Sequence, residues 1–364
     1  MSTPILDHAT RRAAAAGRAC GYEPDELEPV LRAVSSACAS FGARRDDVAA
    51  WPSDLTDDGS PFELSVSYGG RRPELRVLAE VQGERPGAEA SWGAGVAASR
   101  GWAAAGHPID RLLAIEDLFV PPPGARFGWW HALVMPAGGA PLVKVYLNPQ
   151  VGGDGRARVQ EVMARLGLAG SARYLPAAEP VYLSLDLDPG PHARLKVYVP
   201  VPDATPDRVE AVAERALDHE LGSAASLCRR AGGPGPYAGR PVLVCLSFVS
   251  AAAAPVHATV HFPIRAHVAH DGEALERIEA VLAEPDRARH RAVVAAVAGR
   301  PLRAGVGLQT YVSQRAWRGG RRVTVYLAPE LYRAPSEELD APDPGGGGTP
   351  HRPIRPSPPV RVDR

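Results

Sequence analysis

Five short segments of the chain alternate apolar residues with polar or aromatic ones, which is the periodicity of a β-strand. They recur at intervals of roughly 50 to 70 residues, and this spacing indicates one structural unit used several times. The segments are Leu75–Leu78, Val143–Leu147, Leu195–Val199, Thr259–Phe262 and Val323–Leu327.

The alternation places basic residues and tyrosines on one face of each strand. The shared faces carry Lys144 with Tyr146, and Arg194 with Lys196 and Tyr198, while Arg76 stands at the matching place of the first segment. A single strand of this kind usually turns its polar face to solvent. If helices instead cover the apolar faces, the polar faces line a shared lumen. Such a lumen suits an anionic group attached to an electron-poor skeleton.

A second strand-like run precedes each segment, so that the chain contains five hairpins. These runs are Pro61–Tyr68, Trp129–Val134, Val181–Asp186, Leu243–Phe248 and Val306–Ser313. Helices are expected between the hairpins at residues 9–20, 26–41, 88–105, 108–116, 156–168, 205–221, 272–283 and 286–298. The chain therefore belongs to the α+β class. Its ten antiparallel strands can close into a barrel that has helices outside and a ligand cavity inside.

Two acidic positions are open to more than one interpretation. Glu63 shares a face with Ser65 and Ser67, and it points into the lumen if Arg76 does so in the partner strand. A buried glutamate needs a hydrogen-bond donor, whereas an exposed glutamate on an edge strand needs none. Asp186 lies close to a Pro-Gly turn, and turn chemistry accounts for it more simply than metal binding.

Composition excludes several classes of protein. The formal net charge is zero over 364 residues, which argues against a nucleic-acid-binding protein. No apolar run is long enough to span a membrane, and four widely spaced cysteines do not make a disulfide framework. We therefore expect a cytoplasmic protein. Residues 1–8 are expected to be a flexible N-terminus, residues 9–333 one barrel domain, and residues 334–364 a disordered tail rich in Pro and Gly.

The motifs together resemble the ABBA-type aromatic prenyltransferases, specifically the bacterial dimethylallyltryptophan synthases. The resemblance covers residues 20–333, and its motifs are Ser60–Ser65, Leu75–Leu78, Val143–Pro149, Arg194–Tyr198, Thr259–Arg265 and Thr324–Leu327. It implies the ABBA (PT-barrel) fold, a ten-stranded antiparallel barrel built from five ααββ-like repeats with the active site in the lumen. No Asp-Asp-x-x-Asp metal motif is present, since Asp57-Asp58 lacks the third acid.

The resemblance assigns roles to eleven side chains. It implies that the donor diphosphate binds to Arg76, Lys144, Arg194, Lys196 and His261. It implies that the allyl cation is shielded by Tyr146, Tyr198, Tyr311 and Tyr326. Glu63 is expected to accept the indole N–H. His131 lies near the place of a family lysine and is a candidate base for the final proton, although a structural hydrogen bond explains it equally well.

The implied reaction is metal-independent transfer of a dimethylallyl group from dimethylallyl diphosphate to the indole of L-tryptophan, in secondary metabolism. Neither a cofactor nor a metal ion is expected, and the protein is expected to be a monomer or a homodimer. Three alternatives remain open at this stage. The acceptor could be a tryptophan-containing cyclic dipeptide, another indole or tyrosine. The barrel could bind an anionic hydrophobic ligand without turnover, or the Lys-x-Tyr strands could simply face solvent.

Overall fold

Ten antiparallel strands form a closed barrel in the computed structural model, which describes residues 3–45, 52–83, 85, 87–136 and 141–332. The strands are β1 Phe62–Tyr68, β2 Glu74–Glu80, β3 Trp130–Met135, β4 Leu142–Leu147, β5 Tyr182–Asp186, β6 Leu195–Pro200, β7 Leu243–Phe248, β8 His257–Phe262, β9 Gln309–Trp317 and β10 Gly320–Leu327. Each strand pairs with its neighbours in the chain, and β1 pairs with β10 to close the sheet. Closure pairs both edges of the sheet that the described strands form, as the sequence predicts.

Helices surround the barrel and precede each hairpin. They are α1 Ile5–Ala19, α2 Pro24–Cys38, α3 Ala88–Ala104, α4 Asp110–Leu113, α5 Gly155–Arg165, α6 Pro206–Ala213, α7 Ser223–Gly232, α8 Asp271–Val281 and α9 Glu284–Val297. Four of the five repeats have two α-helices before the hairpin. The third repeat has α5 followed by a 3-10 helix at Ala169–Tyr174. The expected ααββ pattern is therefore confirmed with this one variation.

The hydrophobic core lies between the outer face of the barrel and the helices. In β1, Phe62, Leu64 and Val66 are at most 2% exposed and point outward. Their burial provides the main stabilisation, because removing apolar area from water is favourable by roughly 25 cal/mol per Å². Close packing also constrains the helices. A Cβ at Gly95 in α3 would collide with the ring of Trp129, so that only glycine fits there.

Several sequence-based helix boundaries were wrong. Helix α1 begins at Ile5, whose side chain is 1% exposed, so that residues 5–8 do not belong to a flexible N-terminus. The helix expected at 205–221 ends at Ala213, and α7 occupies a stretch that was not predicted to be helical. In place of a helix at 108–116 there are one short α-helix and a 3-10 helix at Glu116–Phe119.

One further expectation, the disordered tail from residue 334 onward, falls on residues outside the described ranges. None of the helices within the described ranges is both long enough and apolar enough to cross a membrane.

Candidate active site in the barrel lumen

The inward faces of the strands enclose a cavity of about 270 Å³. Eight of the eleven side chains singled out in the sequence line this cavity, and they are Arg76, Lys144, Tyr146, Arg194, Lys196, Tyr198, His261 and Tyr326. The interpretation in which the Lys-x-Tyr strands face solvent is therefore wrong. Alternation in the strands produces this arrangement, because their apolar faces are buried in the outer core and their polar faces meet inside.

Three of the cations surround one carboxylate. Arg194 Nε donates a hydrogen bond to Asp186 Oδ2 at 2.6 Å. Lys144 Nζ and Lys196 Nζ lie 3.4 and 3.6 Å from Asp186 Oδ1. Strands β4, β5 and β6 are adjacent, and the register sets Lys144 opposite Asp186. The site therefore contains a compact group of three positive side chains around one negative side chain, which we call the Asp186 cluster.

Burial and neighbouring charges determine the protonation of the Asp186 cluster. Burial alone would raise the pKa of Asp186, but Lys196, Lys144 and Arg194 hold it well below its usual range. Burial lowers the pKa of Lys144, as does the positive charge of Lys196, while Asp186 opposes both effects. The pKa of Lys196 is also lowered, mainly by burial. The carboxylate thus favours the charged form of both lysines.

Further basic side chains extend the positive lining of the cavity. Arg76 donates two hydrogen bonds to Glu74 Oε1, at 2.9 Å from Nε and 2.6 Å from Nη2. Arg315 and Arg322 face each other across β9 and β10 and also line the cavity. Sequence reasoning missed both of these arginines. Their inward orientation follows from the alternation of β9 and β10, in which Arg315 shares a face with Tyr311, and Arg322 with Tyr326.

The tyrosines form two neighbouring pairs beside the cations. The rings of Tyr146 and Tyr198 are 6.0 Å apart, and those of Tyr311 and Tyr326 are 6.4 Å apart. His261 lies between the pairs, 5.4 Å from Tyr198 and 5.7 Å from Tyr326. Burial lowers the pKa of His261 to about 3, and Lys196 and Arg76 contribute to this shift. His261 is therefore neutral near pH 7, so that it offers a hydrogen bond and not a positive charge.

Glu63 points inward from β1 and is 8% exposed. Its Oε1 accepts a hydrogen bond of 2.9 Å from Thr310 Oγ1. Burial raises the pKa of Glu63 to about 8, and the bond from Thr310 partly opposes this shift. A buried carboxyl that has one hydroxyl donor and spare acceptor capacity can accept a second N–H from a ligand.

An aromatic wall that sequence reasoning did not assign also faces the lumen. Trp130 stacks on Phe127 with 4.0 Å between ring centroids and lies 5.3 Å from Tyr182. Arg126 lies over the Tyr182 ring at 4.9 Å. In the β2–β3 register Trp130 is opposite Glu80, whose pKa is raised by burial. Arg126 and Phe127 belong to the loop at 124–128, where the sequence has no alternation to indicate a face, and Trp130 begins β3 just after this loop.

His131 does not belong to the lumen. Its cross-strand partners, Ala79 and Val145, belong to the outer face of the barrel, and its ring contacts Trp102 of α3 at 5.1 Å between centroids. Burial lowers the pKa of His131 to about 4. The expectation that His131 serves as a base in the active site is therefore corrected, because strand alternation turns Trp130 inward and His131 outward.

Asp186 is the most important residue that sequence reasoning misjudged. The sequence predicts a strand that ends at Asp186 and attributes the carboxylate to a nearby turn, whereas this side chain at the end of β5 is 1% exposed and paired with cations. Extending the alternation of β5 through Tyr182 and Ser184 would have placed Asp186 on the inward face. Within the described ranges, no three His, Cys, Asp or Glu side chains are grouped so that they could hold a metal ion.

No family model matches the chain, but several solved structures are similar to it. The crystal structure of 5-dimethylallyltryptophan synthase from Streptomyces coelicolor has 32% sequence identity and a TM-score of 0.84, with 92% of this chain and 100% of that chain covered. The prenyltransferase PriB in ternary complex with L-tryptophan and dimethylallyl thiolodiphosphate has 33% identity and a TM-score of 0.85, with coverages of 91% and 97%.

A third solved structure is equally similar. It is the 6-dimethylallyltryptophan synthase from Micromonospora olivasterospora in complex with DMASPP and Trp, which has 32% identity and a TM-score of 0.84, with coverages of 91% and 99%. The closed ten-stranded barrel with outer helices and a cationic, tyrosine-lined lumen is the ABBA barrel of the aromatic prenyltransferases. Within that class, the chain belongs to the bacterial dimethylallyltryptophan synthase family.

Proposed function

We propose that this protein transfers the dimethylallyl group of dimethylallyl diphosphate to the indole ring of L-tryptophan. The observation that carries this proposal is that six cationic side chains and three tyrosines share one cavity. An anion and a carbocation can therefore be stabilised side by side. Solved relatives at 32–33% identity hold a thiolodiphosphate analogue or DMASPP together with tryptophan.

The cations receive the leaving group. Arg76, Lys144, Arg194 and Lys196 bind the donor diphosphate, which takes the electron pair of the breaking C–O bond. Charge-assisted hydrogen bonds stabilise this growing negative charge. In this way the side chains carry out the role that a metal ion has in other prenyl transfers, and we propose that turnover is independent of metal ions.

The tyrosines shield the allyl cation until the indole attacks it. Tyr146, Tyr198 and Tyr326 present phenol rings, whose quadrupole attracts a cation and which are weak nucleophiles. Tyr311 extends this group through its contact with Tyr326. Water is the competing nucleophile, so that a closed aromatic surface favours carbon–carbon bond formation over hydrolysis.

Glu63 orients the acceptor. Its carboxylate accepts the indole N–H while Thr310 donates a hydrogen bond to Oε1. The contact with the indole N–H increases the electron density of the ring. A carbon–carbon bond then forms between ring and donor, and the ring loses a proton to restore aromaticity. Since His131 lies outside the lumen, the bases that the cavity provides for this step include the released diphosphate and Glu63.

Incubation of the purified protein with dimethylallyl diphosphate, L-tryptophan and excess EDTA tests the reaction. We expect a singly prenylated tryptophan by mass spectrometry, with the ring position assigned by NMR. The Lys144→Met and Lys196→Met variants should lose most of this product, whereas Arg321→Met, which replaces an exposed cation of β10, should retain it. Product that is lost in EDTA and restored by Mg²⁺ would contradict metal independence.

The same assay separates the alternatives for the acceptor. Product with a tryptophan-containing cyclic dipeptide, another indole or tyrosine, but none with free tryptophan, would keep the reaction and change the acceptor. Binding of the diphosphate without product from any aromatic compound would indicate a barrel that binds its ligand without turnover.

A further inference from the structure

The chain contains only two lysines, Lys144 and Lys196, among 41 basic residues. Both belong to the Asp186 cluster. Asp186 itself does not line the cavity, whereas Lys144, Lys196 and Arg194 do. The carboxylate therefore lies behind the cations as seen from the lumen, where a bound diphosphate would contact the cations and not the carboxylate.

The geometry of the carboxylate fits this position. Asp186 Oδ2 accepts the hydrogen bond from Arg194. Oδ1 lies between the two ammonium groups and, within the described residues, makes no hydrogen bond of its own. Each oxygen thus has a separate partner or pair of partners. A single side chain on β5 fixes cations that come from β4, from β6 and from the residue that precedes β6.

Most of the charged groups around Lys144 are positive, so that an anion beside it favours its charged form. The charged groups that act on Lys144 are Lys196, Asp186, Arg194 and Arg76, while Arg315, Arg322, Glu74 and the neutral ring of His261 line the same cavity. Like charges in a buried site disfavour one another's ionised form. Among the groups that act on Lys144, Asp186 is the one that favours the ammonium form.

We propose that Asp186 is a positioning residue for the donor, because its carboxylate holds Lys144, Lys196 and Arg194 together as charged groups before the diphosphate arrives. This inference rests on the proposed function, since it concerns the same diphosphate site. The diphosphate then enters a site that is already charged and oriented. Pre-organised charge avoids the cost of reorganising the site during binding and bond breaking.

Because the chain has only two lysines, the charge states of Lys144 and Lys196 can be measured directly. Protein grown with ¹³C,¹⁵N-lysine should give two lysine side-chain signals, and their pH titration reports the charge of Lys144 and Lys196 separately. In Asp186→Asn, which keeps an oxygen to accept from Arg194, we expect at least one titration midpoint to fall by about one pH unit or more. The matched control is Asp188→Asn, two residues further on, which should titrate as the wild type does.

Calorimetry with inorganic pyrophosphate tests the consequence for binding. Titrations at pH 8 in buffers of different ionisation enthalpy give the number of protons taken up with the anion. We expect Asp186→Asn to take up more protons than the wild type and to bind pyrophosphate about tenfold more weakly. The difference in affinity should shrink at pH 6, where the lysines are protonated without help. Steady-state kinetics should show a raised KM for the donor and an unchanged KM for tryptophan.

Three results would overturn the inference. They are unchanged lysine titration in Asp186→Asn, pyrophosphate affinity of this variant at pH 8 equal to or above that of the wild type, and a wild-type protein that does not bind pyrophosphate.

If Asp186→Asn does not fold, Asp186→Glu tests the same point. Because it keeps the charge, it should bind pyrophosphate with the proton uptake of the wild type, and extra uptake would contradict the inference. Normal pyrophosphate binding without prenyl transfer would reject the proposed function alone.

Discussion

Thr310 of β9 donates a hydrogen bond of 2.9 Å to Glu63 of β1, although β10 lies between these two strands. The contact depends on an irregularity in the β9–β10 register. Gln309 is opposite Leu327, and Tyr311 is opposite Tyr326, so that Thr310 is an extra residue without a cross-strand partner. A bulge of this kind redirects a side chain, and here it brings a hydroxyl to the carboxyl group proposed to bind the acceptor.

The first prediction concerns the pH dependence of catalysis. Burial raises the pKa of Glu63 to about 8, so that at neutral pH most of the free enzyme carries a protonated carboxyl. If the carboxylate is the active form, kcat/KM for tryptophan should rise with pH and level off above about pH 8. The Thr310→Val variant loses a bond that lowers this pKa, and its profile should move to higher pH. Thr10→Val, in α1, serves as the control, and a profile unchanged in Thr310→Val would contradict the role of the bond.

The second prediction concerns stability. Burial raises the pKa of Glu63 in the folded protein to about 8, from an ordinary value of 4.5. The free energy of unfolding that this group contributes is therefore fully present below pH 4.5 and is lost progressively as pH rises from 4.5 to 8. Glu63→Gln does not titrate, so that its Tm relative to the wild type should increase between pH 5 and pH 9. Differential scanning calorimetry at both pH values measures this, and a constant difference in Tm would contradict the raised pKa.

The third prediction concerns the shield around the allyl cation. Tyr198→Phe keeps an aromatic face and should lower kcat only a few-fold. Tyr198→Leu removes a cation–π interaction of about 0.5–2 kcal/mol, which corresponds to a loss of roughly 2- to 30-fold. The leucine variant should also convert more of the donor to dimethylallyl alcohol, as measured by chromatography of both products. Tyr174→Leu, outside the barrel, is the control. Equal losses in the Phe and Leu variants would indicate that the hydroxyl matters and not the ring.

Alternation along the strands explains why the barrel and most of its lining could be predicted from the sequence. Regular strands contain Lys144, Tyr146, Lys196 and Tyr198. In such strands the face that a side chain occupies follows directly from its position along the strand. His131 lies in the run Trp129-Trp130-His131, where every side chain is large and no polar partner marks the inner face. The sequence therefore leaves its orientation open, and only the register with β2 and β4 decides it.

Other features depend on contacts between distant parts of the chain. The Thr310–Glu63 bond joins residues separated by 247 positions and needs a bulge that no local pattern indicates. Asp186 has the local chemistry of a turn residue, and its role follows only from the cations of the adjacent strands. Local propensity misjudged these positions because tertiary contacts determine their environment.

The last prediction separates donor binding from folding at Lys144. Lys144→Met removes a buried ammonium, whose desolvation is unfavourable, while Asp186 keeps its contacts with Arg194 and Lys196. We therefore expect Tm to change little, while pyrophosphate affinity falls about 10- to 100-fold, as for the loss of a charged hydrogen bond. Calorimetry measures both quantities, and Arg321→Met should leave both unchanged. A stable Lys144→Met protein that binds pyrophosphate as the wild type does would show that the donor does not contact this ammonium group.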